Sequence, residues 1–131
     1  MRFFFDNTLP PRLAEAIHAL IRPDGHRVNH LRDRFAANTK DPEWLGTLAR
    51  EGDWIIVSGD PRITKGRHER AAWLESGLTA FFLKSGWTNL PLWDQVWRLV
   101  KYWPDIARHA AESQKGSGFL INVNGKIEPL G

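Results

Sequence analysis

The chain has 131 residues, the length of one domain, and can bury a sizeable core without covalent staples. It has no cysteine, which excludes a disulfide framework, thiolate zinc sites and a thiol nucleophile and is consistent with a reducing compartment. Lysine and arginine together number 18 against 15 acidic residues, and this formal charge of +3 permits an anionic partner without demanding one.

The run Phe3-Phe4-Phe5 is stopped at once by Asp6. It is too short for a signal peptide or a membrane span and reads as a buried strand. No other apolar run is long enough to span, so the expectation is a soluble, cytoplasmic protein with no membrane contact. Pro10-Pro11 opens a helix, Leu13, Ala16, Ile17 and Leu20 recur at helical spacing, and Pro23-Asp24-Gly25 ends it. Residues 26–31 predict a weaker strand and residues 32–40 a polar loop. Asp41-Pro42 predicts a helix start, with Asp41 as N-cap and the proline at the first helical position. Trp44, Leu45 and Leu48 mark its buried side, and Gly52 its end.

Residues 54–57, Trp-Ile-Ile-Val, form the clearest strand, which runs out at Ser58-Gly59-Asp60-Pro61. A basic stretch over 62–70 leads into a short helix through Ala72, Trp73 and Leu74. Gly77 closes that helix, and residues 78–83 read as another strand. Residues 90–111 carry the longest helical pattern, with Trp93, Val96, Trp97, Val100 and Trp103 at three- and four-residue steps and Pro104 expected to kink or break it. Two apolar segments within 119–130 flank Asn124-Gly125, a strong hairpin signal.

Strands alternating with helices predict an α/β fold: one domain over residues 1–131, with helices on both faces of a mostly parallel central sheet. The Trp-rich helix and a C-terminal β-hairpin follow from about residue 87. Seven tryptophans imply a thick aromatic core, an interaction surface, or both. Trp54 and Trp73 are assigned to the core, and Trp93, Trp97, Val100 and Trp103 to packing on the sheet. Trp87 or Trp103 is the candidate anchor for a homodimer or an inhibitory partner.

In open α/β sheets, sites form outside the carboxyl ends of parallel strands. Asp6 ends the first strand, Asp60 follows the third, and Asp41 opens the helix after the second. Each has a plainer reading: a helix cap for Asp6 and Asp41, a turn residue for Asp60. Together they would repel one another unless a cation joined them, and oxygen-only ligands favour Mg2+ or Mn2+ over zinc. Glu43 is an alternative to Asp41, while Asp33 and Glu69 are weaker candidates that read as solvated surface charges. Arg62, Lys65, Arg67, His68 and Arg70, extended by Arg32, Arg34 and Lys40, would hold a phosphodiester backbone through its phosphates. The competing reading is an ordinary solvated face.

Three segments carry a resemblance: residues 3–10 (Phe-Phe-Phe-Asp-Asn-Thr-Leu-Pro), 41–45 (Asp-Pro-Glu-Trp-Leu) and 54–60 (Trp-Ile-Ile-Val-Ser-Gly-Asp). Their order resembles that of the PIN-like domains, which include toxin nucleases of bacterial toxin–antitoxin pairs, over about residues 1–85. The resemblance implies a PIN-like three-layer α/β/α sandwich and Mg2+- or Mn2+-dependent endoribonuclease activity on RNA phosphodiester bonds, with an antitoxin protein as partner. It carries catalytic and metal-binding roles onto Asp6, Asp41 and Asp60, with Glu43 a further metal candidate, and makes RNA the backbone that the basic residues would hold. Where many relatives place another acid soon after the third-motif aspartate, this chain has Pro61 and Arg62.

Two phosphoryl-transfer readings fit less well. A dehalogenase-type phosphatase needs Asp-x-Asp after the first strand, where Thr8 takes the place of the second acid, and a response-regulator receiver wants paired acids where only Asp6 stands. The alternative of a different class is a catalytically inactive module that binds RNA or protein.

Overall fold

Strand side chains alternate between the two faces of a sheet, so Phe3, Phe4 and Phe5 feed two separate cores. In the computed structural model, which describes residues 1–60 and 66–130, all three are fully buried in strand β1 (Arg2–Phe5). Phe3 and Phe5 point toward helices α1 (Pro11–Ile21) and α5 (Leu92–Glu112), where they meet Leu13, Ile17, Leu99 and Trp103. Phe4 points the other way, toward α3 (Asp41–Glu51) and α4 (Arg67–Ser76), and stacks on Trp44 at 5.2 Å. The result is a three-layer α/β/α sandwich.

The remaining strands are β2 (Arg27–His30), β3 (Trp54–Ser58), β4 (Thr79–Leu83), β5 (Gly118–Ile121) and β6 (Ile127–Pro129). They join β1 in one sheet of order β2-β1-β3-β4-β5-β6, parallel except for the closing antiparallel hairpin β5–β6. In register, Phe5 lies level with His30 on one side and Val57 on the other. The chain runs outward from β1 to β2 and then returns to the opposite side of β1 at β3. The strand order therefore reverses between β1 and β3, and the crevice outside their carboxyl ends is the position where such sheets take ligands.

Several elements depart from the sequence reading. Residues 32–40 are not all loop, because Leu31–Arg34 forms a single helical turn, α2. His30 caps it: its Nδ1 accepts from the Arg32 amide at 3.0 Å, while Asp33 accepts from the His30 amide at 2.8 Å. Asp41 is not an N-cap. Lys40 holds that position with extended backbone, and Asp41 is the first helical residue with Pro42 second. On α1 the buried arc is Leu13, Ala14, Ile17 and Ile21, which leaves Leu20 past its edge and 57% exposed.

The long helix α5 is turned by about one residue position from the expected face. Its buried row is Gln95, Leu99, Trp103 and Ile106. Gln95 is buried, and its amide donates to the carbonyls of Trp87 at 3.1 Å and Leu90 at 3.2 Å. Trp93 and Trp97 consequently face outward, 77% and 46% exposed, while Trp87 and Trp103 are buried and cannot anchor a partner. Pro104 neither breaks nor ends the helix; it is exposed, so the missing amide lies on the solvent side. No helix among the described residues is long and apolar enough to cross a membrane.

Candidate active site

Asp6 is the first residue beyond β1, where the chain leaves the sheet, and its backbone amide still donates to the Val57 carbonyl at 3.2 Å. That bond holds the residue level with the end of β3, so its side chain meets that of Ser58. The Ser58 hydroxyl donates to Asp6 Oδ2, and its oxygen accepts the Asp60 amide at 3.0 Å. Asp6 Oδ1 accepts from the Thr8 amide at 3.0 Å and from the Thr8 hydroxyl, whose oxygen in turn accepts the Gly59 amide at 2.8 Å. Two hydroxyls thus lock the β1 and β3 ends together around one carboxylate. Gly59 lies tight against this lock, since an added Cβ would stand 2.7 Å from the Thr88 methyl.

The turn after Asp6 is fixed from the other side by His30, whose Nε2–H donates to the Leu9 carbonyl at 2.7 Å. Burial holds this imidazole below its usual range, and Nδ1 is occupied as an acceptor, so the ring stays neutral.

Asp6, Asp41 and Asp60 line one cavity of about 460 Å³, together with Glu69, Lys40 and Asn7. Asp6 and Asp60 are buried, at 3% and 5% exposure. Asp41 reaches the cavity from the first turn of α3, where helix N-termini favour negative charge, and its Oδ1 accepts from the Trp44 indole at 3.1 Å. Burial, the largest cause, raises the Asp6 pKa from 3.8 to about 6. The Ser58 and Thr8 hydrogen bonds oppose the rise, and the neighbouring Asp41 charge adds to it.

Glu69 belongs to this set although its sequence context reads as surface. It sits in the first turn of α4, and that helix packs beside α3. Glu43 lies on the exposed side of α3 and does not line the cavity. Of the basic residues, Arg62 and Lys65 lie outside the described residues. Arg67 and Arg70 sit on α4 but not in the cavity lining, whereas Lys40 is in it. Arg32 points to the rim, where its Nε donates to Asn7 Oδ1 at 2.7 Å. Arg34 turns away, pairing with Glu51 and lying 5.6 Å from the Trp54 ring.

The residues present suit a hard divalent cation in kind: every candidate ligand is a carboxylate oxygen, with no sulfur or imidazole among them. Asp6 Oδ2 carries one donor, which leaves it a lone pair for an ion. Spacing is the limit. Among the described residues no group of three acids or histidines stands close enough to enclose an ion. Magnesium takes only one or two carboxylates directly and keeps several waters, so a group lining a shared cavity more loosely still fits it.

Ser58 and Thr8 were not singled out as metal-site residues from sequence, and Glu69 was ranked there only as a weaker candidate that reads as a surface charge. Thr8 carried a weak signal, two residues after an aspartate where an Asx-turn forms. Ser58 carried none, since a hydroxyl at a strand end is ordinary, and an acid on a helix such as Glu69 is hard to tell from a solvated charge. A family model described as PIN like domain matches residues 1–85. No curated protein and no solved structure matches the chain.

Proposed function

The chain belongs to the PIN like domain family, and on that premise we propose that it is a Mg2+- or Mn2+-dependent endoribonuclease. The observation that carries this reading is the buried Asp6, clamped at the reversal of strand order in one cavity with Asp41, Asp60 and Glu69. Asp6, Asp41, Asp60 and Glu69 are the residues that would hold the metal, one or two of them directly and the rest through its waters; Glu43, facing solvent, is left out. When bound, the ion would supply charge neutralisation at the scissile phosphate and a water of lowered pKa.

The protein's own groups have distinct tasks in this reading. Ser58 and Thr8 fix the Asp6 carboxylate so that it needs no reorientation when substrate arrives. Lys40 and Arg32, at the wall and rim, draw in the phosphate backbone without reading sequence. A toxin of a toxin–antitoxin pair is the biological setting we propose. A protein partner, whether an antitoxin or a second copy in a homodimer, would have to engage side chains other than the buried Trp87 and Trp103.

The wide spacing of the acids favours one alternative, an inactive module that binds RNA or protein. Purified protein incubated with single-stranded RNA and Mn2+ or Mg2+ separates the two. The expected result is internal cleavage that EDTA stops and that Asp6→Asn reduces by roughly a hundredfold or more. Wild-type protein that leaves RNA intact with either metal overturns the enzyme reading.

A further inference from the structure

Asp60 lines two cavities: the acid cavity, and a second of about 340 Å³ on the β4 flank of β3. It is therefore the residue that the two spaces share. The second differs in character, because its walls are largely apolar. Phe82 lies near the end of β4, Leu120 pairs with it on the adjacent β5, and Leu130 follows β6 on the same face of the sheet. Its rim comes from the segment after β4 and carries the Lys84 ammonium, the Thr88 hydroxyl and the Asn89 carboxamide.

This rim is positioned rather than loose. Lys84 N donates to the Ile121 carbonyl at 3.0 Å, and Trp87 buries its ring and donates from Nε1 to the same carbonyl at 3.1 Å. Gln95 then ties the Trp87 and Leu90 carbonyls to α5. Thr88 and Asn89 therefore project from a segment held at both ends, and Lys84 is left 41% exposed with Glu128 at 4.0 Å.

We propose that the cavity walled by Phe82, Leu120 and Leu130 and rimmed by Lys84, Thr88 and Asn89 holds one unpaired nucleobase of the bound RNA. The proposal rests on the nuclease reading, since it takes the phosphate beside Asp60 as its reference point. An apolar slot with few polar groups suits a flat ring that must be recognised at its edge. Single-stranded RNA offers such a ring, because its bases are free to splay out and be read on the Watson–Crick edge. A carboxamide, which both donates and accepts, matches that edge, and the Lys84 ammonium matches the adjoining phosphate. Carboxylates and amides of a protein would match the same groups, so the choice of a base rests on Asp60, the residue this slot shares with the cavity proposed to take the RNA phosphate. Continuity with the acid cavity then sets the register: the base belongs to a nucleotide next to the phosphate at Asp60.

The test uses the full chain without metal, so that binding is read apart from cleavage. The four ribonucleoside 5′-monophosphates are titrated by NMR, with ribose 5-phosphate as the baseless control. The expected result is movement of the Leu120 and Leu130 methyl signals by nucleotides but not by ribose 5-phosphate. Leu130→Trp, which fills the slot, is expected to weaken nucleotide binding about tenfold or more, the size of losing one base contact. Asn89→Ala changes an exposed residue outside the core and is expected to narrow the differences among the four nucleotides while keeping the fold. Nucleotides that leave these methyls unmoved, or move them no more than ribose 5-phosphate does, overturn the proposal whether or not the protein cleaves RNA. Methyl shifts in a protein that cleaves no RNA would uphold the base slot and remove the nuclease reading instead.

Discussion

At the scale of single residues, Asp6 is a carboxylate whose charge the fold disfavours. The native state binds its proton more tightly than the unfolded chain, with a pKa of about 6 against 3.8. The contribution to stability is therefore full below about pH 4 and is lost as pH rises through about 6, by roughly 3 kcal/mol at most. In metal-free buffer, denaturant melts from pH 4 to 8 should show wild-type stability falling relative to Asp6→Asn, with the variant the more stable above pH 6. Parallel curves for the two proteins would mean that the carboxylate is not desolvated. Ser58→Ala tests the lock itself. It strips a donor from Asp6 and an acceptor from the Asp60 amide, and should cost about 1–3 kcal/mol in chemical denaturation. The same variant should push the Asp6 titration seen by NMR still higher.

At the scale of elements, the terminal hairpin is docked rather than dangling. The Tyr102 hydroxyl of α5 donates to the Val123 carbonyl at 3.0 Å, and the Tyr102 ring covers the hairpin turn. Gly125 has φ of 95° there, and a Cβ would stand 2.5 Å from Tyr102 Cε1, so backbone and packing both demand glycine. Gly125→Ala should lower stability by about 2–3 kcal/mol in thermal melts. Gly25→Ala, with φ of 83° and open space, should cost only about 1 kcal/mol. On the same helix, Trp103 lies 4.8 Å from Phe3, edge to face. Trp103→Ala should cost about 3–5 kcal/mol, whereas Trp93→Ala, exposed on the opposite side, should cost almost nothing.

At the scale of the whole molecule, the matched segment and the folding unit differ in extent. The family match stops at residue 85, yet Phe3, Phe5 and Phe81 pack against Leu99, Trp103, Ile106, Phe119 and Ile121. A fragment of residues 1–85 would leave that face of the sheet covered by α1 without α5, and β4 an unpaired edge. It should bind a hydrophobic dye and melt without a cooperative transition, while the full chain melts as one domain. A sharp unfolding transition in the fragment would show instead that the carboxyl-terminal third is an accessory layer.

The sequence alone determined the alternation of strands and helices, the hairpin at Asn124-Gly125 and the arrival of Asp6 and Asp60 at one edge of the sheet. Those features follow from local periodicity and turn chemistry, which neighbouring residues carry among themselves. Only the tertiary structure decided which side of α5 is buried, that Glu69 rather than Glu43 lines the acid cavity, and that Ser58 and Thr8 clamp Asp6. Those outcomes depend on contacts between residues far apart in the chain, where a buried glutamine bonded to distant carbonyls and an exposed tryptophan break the pattern that composition suggests.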